Sequence, residues 1–133
     1  MSALIIDTNV YSGFMRGNAA ITEQLDLAEE IHIPLIVFAE LLAGFDAGNR
    51  AQKNRQLLSQ FTALPRVHKL NPSEKTAEHY VAVYLHLRAR GTPIPTNDIW
   101  IAALARQVRL PLYSLDAHFK DIPGVERLAS TSH

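Results

Sequence analysis

The chain predicts an α/β fold, a central parallel sheet of four to five strands flanked by helices, and three observations carry that prediction. Short strand-like segments recur at residues 4–7, 31–33, 67–70 and 111–115, with a fifth candidate at 125–128. Between them lie longer stretches whose apolar residues repeat at helical spacing. Several of those stretches open or close on residues that start or stop helices. Strands separated by helices imply parallel pairing with helices on both faces of the sheet.

Taken in order, Leu4-Ile5-Ile6-Asp7 reads as a buried strand, and a helix is expected to begin near Asn9, a good capping residue. Gly17-Asn18 interrupts it, and a second helix is expected over residues 19–29. Residues 31–33 form a short strand, followed by Pro34 where a helix can start. That helix runs out near residues 44–48, which hold two glycines, and residues 50–61 are again helical in pattern. After the strand at 67–70, Asn71-Pro72-Ser73-Glu74 supplies a cap, a first-turn proline and a glutamate, so a helix is expected from Pro72 to just before Gly91. Thr92-Pro93-Ile94-Pro95 is a stiff loop. Residues 97–109 form a nearly all-apolar helix, expected to be central. Residues 129–133 are expected to fray.

Bulk properties narrow the classes. A chain of 133 residues, 47% hydrophobic and 20% charged, is expected to form a single domain spanning 1–133. With no cysteine, disulfides and thiolate zinc sites are excluded. Met1-Ser2-Ala3 leads straight into a strand rather than a signal peptide. The longest apolar run, near residues 31–43, is broken by His32, Pro34 and Glu40, so no membrane span and a cytoplasmic location are expected. Thirteen bases balance thirteen acids, which speaks mildly against nucleic-acid binding. If four acids lie under a metal, nine remain against the thirteen bases, and the rest of the surface is basic by four.

Four acids merit that treatment. In a parallel α/β sheet ligands bind beyond the carboxyl ends of the strands. Asp7 and Asp116 follow strands at that edge, and Asp98 stands in the first turn of a helix whose N-terminus faces it. Glu40 lies about a turn and a half into its helix, and helical side chains tilt back toward the N-terminus. Four like charges in one pocket repel unless a cation holds them, which points to a divalent metal and chemistry on phosphates. Each acid also has an ordinary explanation. Asp7 could cap a helix, Asp98 could answer a helix dipole, Asp116 could start a turn, and Glu40 could be solvated. Thr8, Asn9, Asn97 and Ser114 place hydroxyls and amides beside the acids, where they could orient a carboxylate or simply cap helices and turns. His79 and His86 read as solvated, and His118 as structural.

The segments Asp7-Thr8-Asn9, Ala39-Glu40-Leu41-Leu42-Ala43-Gly44, Asn97-Asp98-Ile99-Trp100-Ile101-Ala102-Ala103 and Ser114-Leu115-Asp116-Ala117-His118-Phe119 together resemble those of the PIN-domain nucleases. More narrowly, the chain is similar to the VapC toxins of bacterial type II toxin–antitoxin pairs, including their FitB-like relatives. The likeness runs from Ile5 to about Leu128. It implies a three-layer PIN-like fold and an endoribonuclease whose catalytic and metal-binding residues are Asp7, Glu40, Asp98 and Asp116. Thr8, Asn9, Asn97 and Ser114 are its expected supports, and Mg²⁺ or Mn²⁺ its cofactor. On the same basis, a metal-activated water attacks in line and leaves a 5′-phosphate and a 3′-hydroxyl. The resemblance further implies a structured RNA substrate, with tRNA expected, a VapB-like antitoxin that covers the acidic site, and a homodimer.

Other classes fit less well. A haloacid-dehalogenase phosphatase needs a second Asp where Asn9 stands. A receiver domain needs paired acids after the first strand and a Lys after the last core strand, and here Asp7 is single and no Lys follows residues 112–115 before Lys120. A catalytically silent PIN domain acting as a binding partner is the main non-enzyme alternative, and a metal-dependent DNA nuclease the nearest enzymatic one.

Overall fold

A computed structural model describes residues 2–129. The frayed end expected at 129–133 therefore lies, apart from Ala129, outside the described residues. The first strand, β1 (Ala3–Ile6), carries Leu4, Ile5 and Ile6, all buried, as suits a strand covered on both faces. Helix α1 (Thr8–Met15) follows without a loop. Its N-cap is Asp7, not Asn9 as the sequence suggested, because the Asp7 carboxylate accepts the Thr8 amide at 2.8 Å. Helix α2 (Ala19–Leu27) is capped by Asn18, whose Oδ1 accepts the Ile21 amide at 3.0 Å. It stops two residues short of the expected end. There Arg66 Nη1 donates to the carbonyls of Leu25 and Ala28 at 2.6 and 2.8 Å, closing the helix so the chain can enter β2 (Glu30–Pro34).

Two helices, α3 (Leu35–Asp46) and α4 (Ala51–Thr62), lead to β3 (Val67–Leu70). Helix α5 (Glu74–Arg90) begins later than Asn71-Pro72 suggested. Ser73 is its cap, and a reciprocal pair with Thr76 fixes the start, the Ser73 amide donating to Thr76 Oγ1 at 2.9 Å. Gly91 closes α5 in the left-handed conformation (φ 67°). Helix α6 (Thr96–Val108) buries Asp98, Ile99 and every residue from Ile101 to Ala105, matching its apolar sequence. Strand β4 (Leu112–Tyr113) is shorter than the expected 111–115. The Ser114 amide still donates to the Leu128 carbonyl at 3.0 Å, but the Leu115 amide turns to Asn9 Oδ1 at 3.1 Å and leaves the ladder there. A 3₁₀ turn (Ala117–Phe119) then leads to β5 (Arg127–Leu128), so the fifth strand forms.

The sheet order is β3-β2-β1-β4-β5, with every neighbouring pair parallel, and among the described residues six helices flank it. From β1 the chain winds outward to β2 and β3, then returns through α5 and α6 to pair β4 on the opposite side of β1. The winding direction thus reverses between β1 and β4, and such a reversal opens a crevice at the carboxyl edge. Among the described residues, no helix is long and apolar enough to cross a membrane.

Candidate active site

Asp7 stands at the carboxyl end of β1, at the switch point. Its side chain is nearly buried, at 5% exposure, yet well partnered. Ser114 Oγ donates to Oδ2 at 2.7 Å, and the Thr8 amide donates to Oδ1 at 2.8 Å. The same Ser114 oxygen accepts the Asp116 amide at 3.0 Å, so one hydroxyl ties two of the acids together. Asn9 completes the latch. Its Nδ2 lies 3.5 Å from Asp7 Oδ2, and its Oδ1 accepts the Leu115 amide at 3.1 Å. The segments following β1 and β4 are thereby held side by side through side chains where the backbone ladder has ended.

Glu40 reaches the same edge from α3, where Oε1 accepts the Thr8 hydroxyl at 2.9 Å. Asp98, in the first turn of α6, is 9% exposed and bonds His118 Nδ1 through Oδ2 at 2.7 Å. Asp116 caps the 3₁₀ turn, its Oδ1 accepting the His118 amide at 3.0 Å. Its other oxygen lies 3.2 Å from His118 Nδ1. The four acids line one cleft of about 360 Å³ together with Thr8, Asn9, Ser12 and Arg16.

Not every predicted supporting residue belongs there. Asn97 is exposed and makes no side-chain hydrogen bond among the described residues. It sits one position before Asp98 on the helix, and neighbouring helical positions point about 100° apart. His118, read from sequence as structural, instead contacts two of the acids. The spacing Asp116-Ala117-His118 was its only sequence signal, and it becomes informative only once the 3₁₀ turn is seen. Arg16 was also missed. Asn9, Ser12 and Arg16 recur at intervals of three and four, the pattern of one helix face, and that could have marked it.

The electrostatics are those of crowded anions. Burial pushes the Asp7 carboxyl above the usual aspartate range. The bonds from Ser114 and Thr8 oppose that rise, and the charges of Asp98 and Glu40 add to it. Burial likewise raises Asp98, with the His118 bond opposing and Asp116 and Glu40 adding. The His118 imidazole is raised in turn, first by its bond to Asp98. A divalent cation suits this donor set. One ligand atom each from Asp98, Asp116 and His118 lie mutually within 4.8 Å, close enough to share an ion. Asp7 and Glu40 stand outside that inner group, on the wall of the same cleft.

A PIN domain family model matches residues 4–125. The chain is 32% identical over 108 residues to the protein named Ribonuclease VapC1 of Haemophilus influenzae, spanning 76% of this chain and 77% of that protein. VapBC2 of Rickettsia felis, solved with a promoter DNA fragment, superposes with a TM-score of 0.86 at 24% identity, covering 96% of this chain and 98% of that one. A toxin–antitoxin complex from Klebsiella pneumoniae superposes with a TM-score of 0.70 at 26% identity, covering 92% and 94%. A family match across nearly the whole sequence, on a parallel sheet whose switch point gathers these acids, establishes that the chain belongs to the PIN-domain family, within its VapC group.

Proposed function

We propose that this chain is a metal-dependent endoribonuclease, the toxin of a VapBC-type pair, hydrolysing phosphodiester bonds of structured RNA, with tRNA the expected substrate. The observation that carries the reading is the single cleft lined by Asp7, Glu40, Asp98 and Asp116 in a chain related to a named ribonuclease. Asp98 and Asp116 would hold a Mg²⁺ or Mn²⁺ ion, with Asp7 and Glu40 completing its anionic surroundings. When bound, the ion supplies charge neutralisation at the scissile phosphate and lowers the pKa of water nearby.

The protein's own groups do the rest. Ser114 and the Thr8 amide fix the Asp7 carboxylate, so its charge faces the cleft without reorganisation. Thr8 holds one oxygen of Glu40, leaving the other to accept the proton of an attacking water. In-line attack breaks the bond from phosphorus to the 3′ oxygen. That oxygen takes up a proton to become a 3′-hydroxyl, and the phosphate stays on the 5′ side. Arg16, on the rim, is placed to meet a neighbouring phosphate.

The same reading assigns a VapB-like antitoxin as partner, since solved neighbours include VapBC and toxin–antitoxin complexes. It also assigns a homodimer, a cytoplasmic location and one domain over 1–133. Exposed Val81, Tyr84 and Leu85 on α5 offer apolar surface for a second copy.

The test is incubation of purified, antitoxin-free protein with total cellular RNA in Mg²⁺ or EDTA, sequencing the new ends, with Asp98→Asn alongside. Discrete cuts ending in 5′-phosphate that need both metal and Asp98 are expected. Metal binding without cuts in any RNA pool would favour a silent binding domain, and cuts in DNA alone would favour a DNA nuclease.

A further inference from the structure

We propose that His118 is a direct ligand of the cation, through Nδ1, alongside one oxygen each of Asp98 and Asp116. The inference rests on the metal-dependent reading above and goes beyond it, because an all-carboxylate site becomes a mixed nitrogen and oxygen site. The geometry is the first argument. His118 Nδ1 lies 2.7 Å from Asp98 Oδ2 and 3.2 Å from Asp116 Oδ2. For metal–ligand bonds of about 2.1 Å, adjacent donors on an octahedron stand roughly 3.0 Å apart, so these spacings are those of one coordination face.

The second argument is the division of labour at Asp116. Its Oδ1 is committed to the His118 amide at 3.0 Å, which leaves Oδ2, the atom facing Nδ1, free for an ion. The third is the anchoring of the ring. Phe119 next door is fully buried, so the 3₁₀ turn is pinned and the imidazole is held over the acids although it is itself exposed. A hydrogen bond explains one of the two close contacts but not both equally, because Nδ1 carries a single proton. A position between two carboxylates is the natural place for a third ligand.

The chemical consequence is metal preference. An imidazole donor favours Mn²⁺ and later first-row ions over Mg²⁺, which prefers oxygen. The experiment loads full-length protein with Mn²⁺ in nitrogen-free buffer and records pulsed electron paramagnetic resonance for nitrogen coupling, comparing natural-abundance and ¹⁵N-histidine protein. Calorimetric titration with Mn²⁺ and Mg²⁺ accompanies it. The expected result is a histidine nitrogen coupling that disappears in His118→Gln. That variant should bind Mn²⁺ about tenfold or more weakly while its Mg²⁺ affinity changes less. Mn²⁺ binding without nitrogen coupling would overturn the proposal and leave the carboxylate site standing. No Mn²⁺ binding at all would overturn the metal reading with it. His118 is exposed, so loss of fold is not expected, and circular dichroism of the variant verifies that.

Discussion

At the scale of single residues, Asp7 shows stability and function pulling apart. Its carboxyl is raised, so the folded state holds a proton more tightly than the unfolded chain does. The sign follows. Any stability from that protonation is fully present below the unfolded value of 3.8 and is lost as pH rises through the folded value. Above the folded value the metal-free protein therefore bears the cost of a buried anion beside Asp98 and Glu40. Asp7→Asn keeps the side chain's size and removes that cost. In EDTA at pH 7 the variant should melt above the parent, the gap closing as pH falls toward 4, while RNA cleavage falls at least about 100-fold. Calorimetry across pH measures the first effect and end-sequencing the second; a variant melting well below the parent at pH 7 would mean that the Ser114 bond outweighs the repulsion. This residue was readable because a strand end and a carboxylate coincide in the sequence. His118 was not, because its contacts depend on a 3₁₀ turn that three residues cannot announce, and Asn97 misled because sequence adjacency on a helix is not spatial adjacency.

At the scale of elements, helix ends separate local from tertiary control. Gly91 closes α5 with φ 67° and nothing stands within 4 Å of where a Cβ would be, so Gly91→Ala tests backbone conformation alone. The variant should lose about 1 kcal/mol. Arg109 closes α6 in the same left-handed region (φ 57°) but carries a side chain. Arg109→Gly relieves that strain and should gain about 0.5 kcal/mol, less than the full relief because glycine also loosens the unfolded chain. Urea denaturation midpoints moving in opposite directions are expected; movement in the same direction would show that Arg109 contributes a contact worth more than its strain. Gly91 was legible as a stop signal for this reason, whereas Arg109 was not, since nothing in its type favours a positive φ. The start of α5 was misplaced for a related reason. Asn71-Pro72 is a good opening locally, but the Ser73 and Thr76 exchange, with Thr76 also bonded to Gln107 of α6, fixes the start by a contact across 31 residues.

At the scale of the whole molecule, zero net charge conceals a separation of charges that sequence counting could only suggest. Parallel strands and helix polarity were enough to direct four distant acids to one edge, without knowledge of the order β3-β2-β1-β4-β5, which depends on pairings between remote segments. Which bases remain free was not readable, because it depends on side-chain partners. Arg55, which stands near Arg50 and Lys53 in the sequence, is neutralised by Asp46 through two bonds of 2.8 and 2.7 Å. Arg90 and Lys120 have no ion pair among the described residues, and they line a cleft with His86 and His118, the latter already touching the acidic site. Arg88, also exposed, is not part of that cleft. An RNA strand crossing the acids would bring its next phosphates over Arg90 and Lys120, each contact releasing counterions. Binding of total tRNA to cleavage-dead Asp98→Asn protein, measured from low to moderate salt, should therefore show a slope of log affinity against log salt that falls by about 0.7–0.9 for Arg90→Ala and again for Lys120→Ala. Arg55→Ala and Arg88→Ala should leave the slope unchanged. An equal loss for all four would mean a diffuse basic surface holds the RNA, and no loss for any would send the strand out along the Arg16 rim instead.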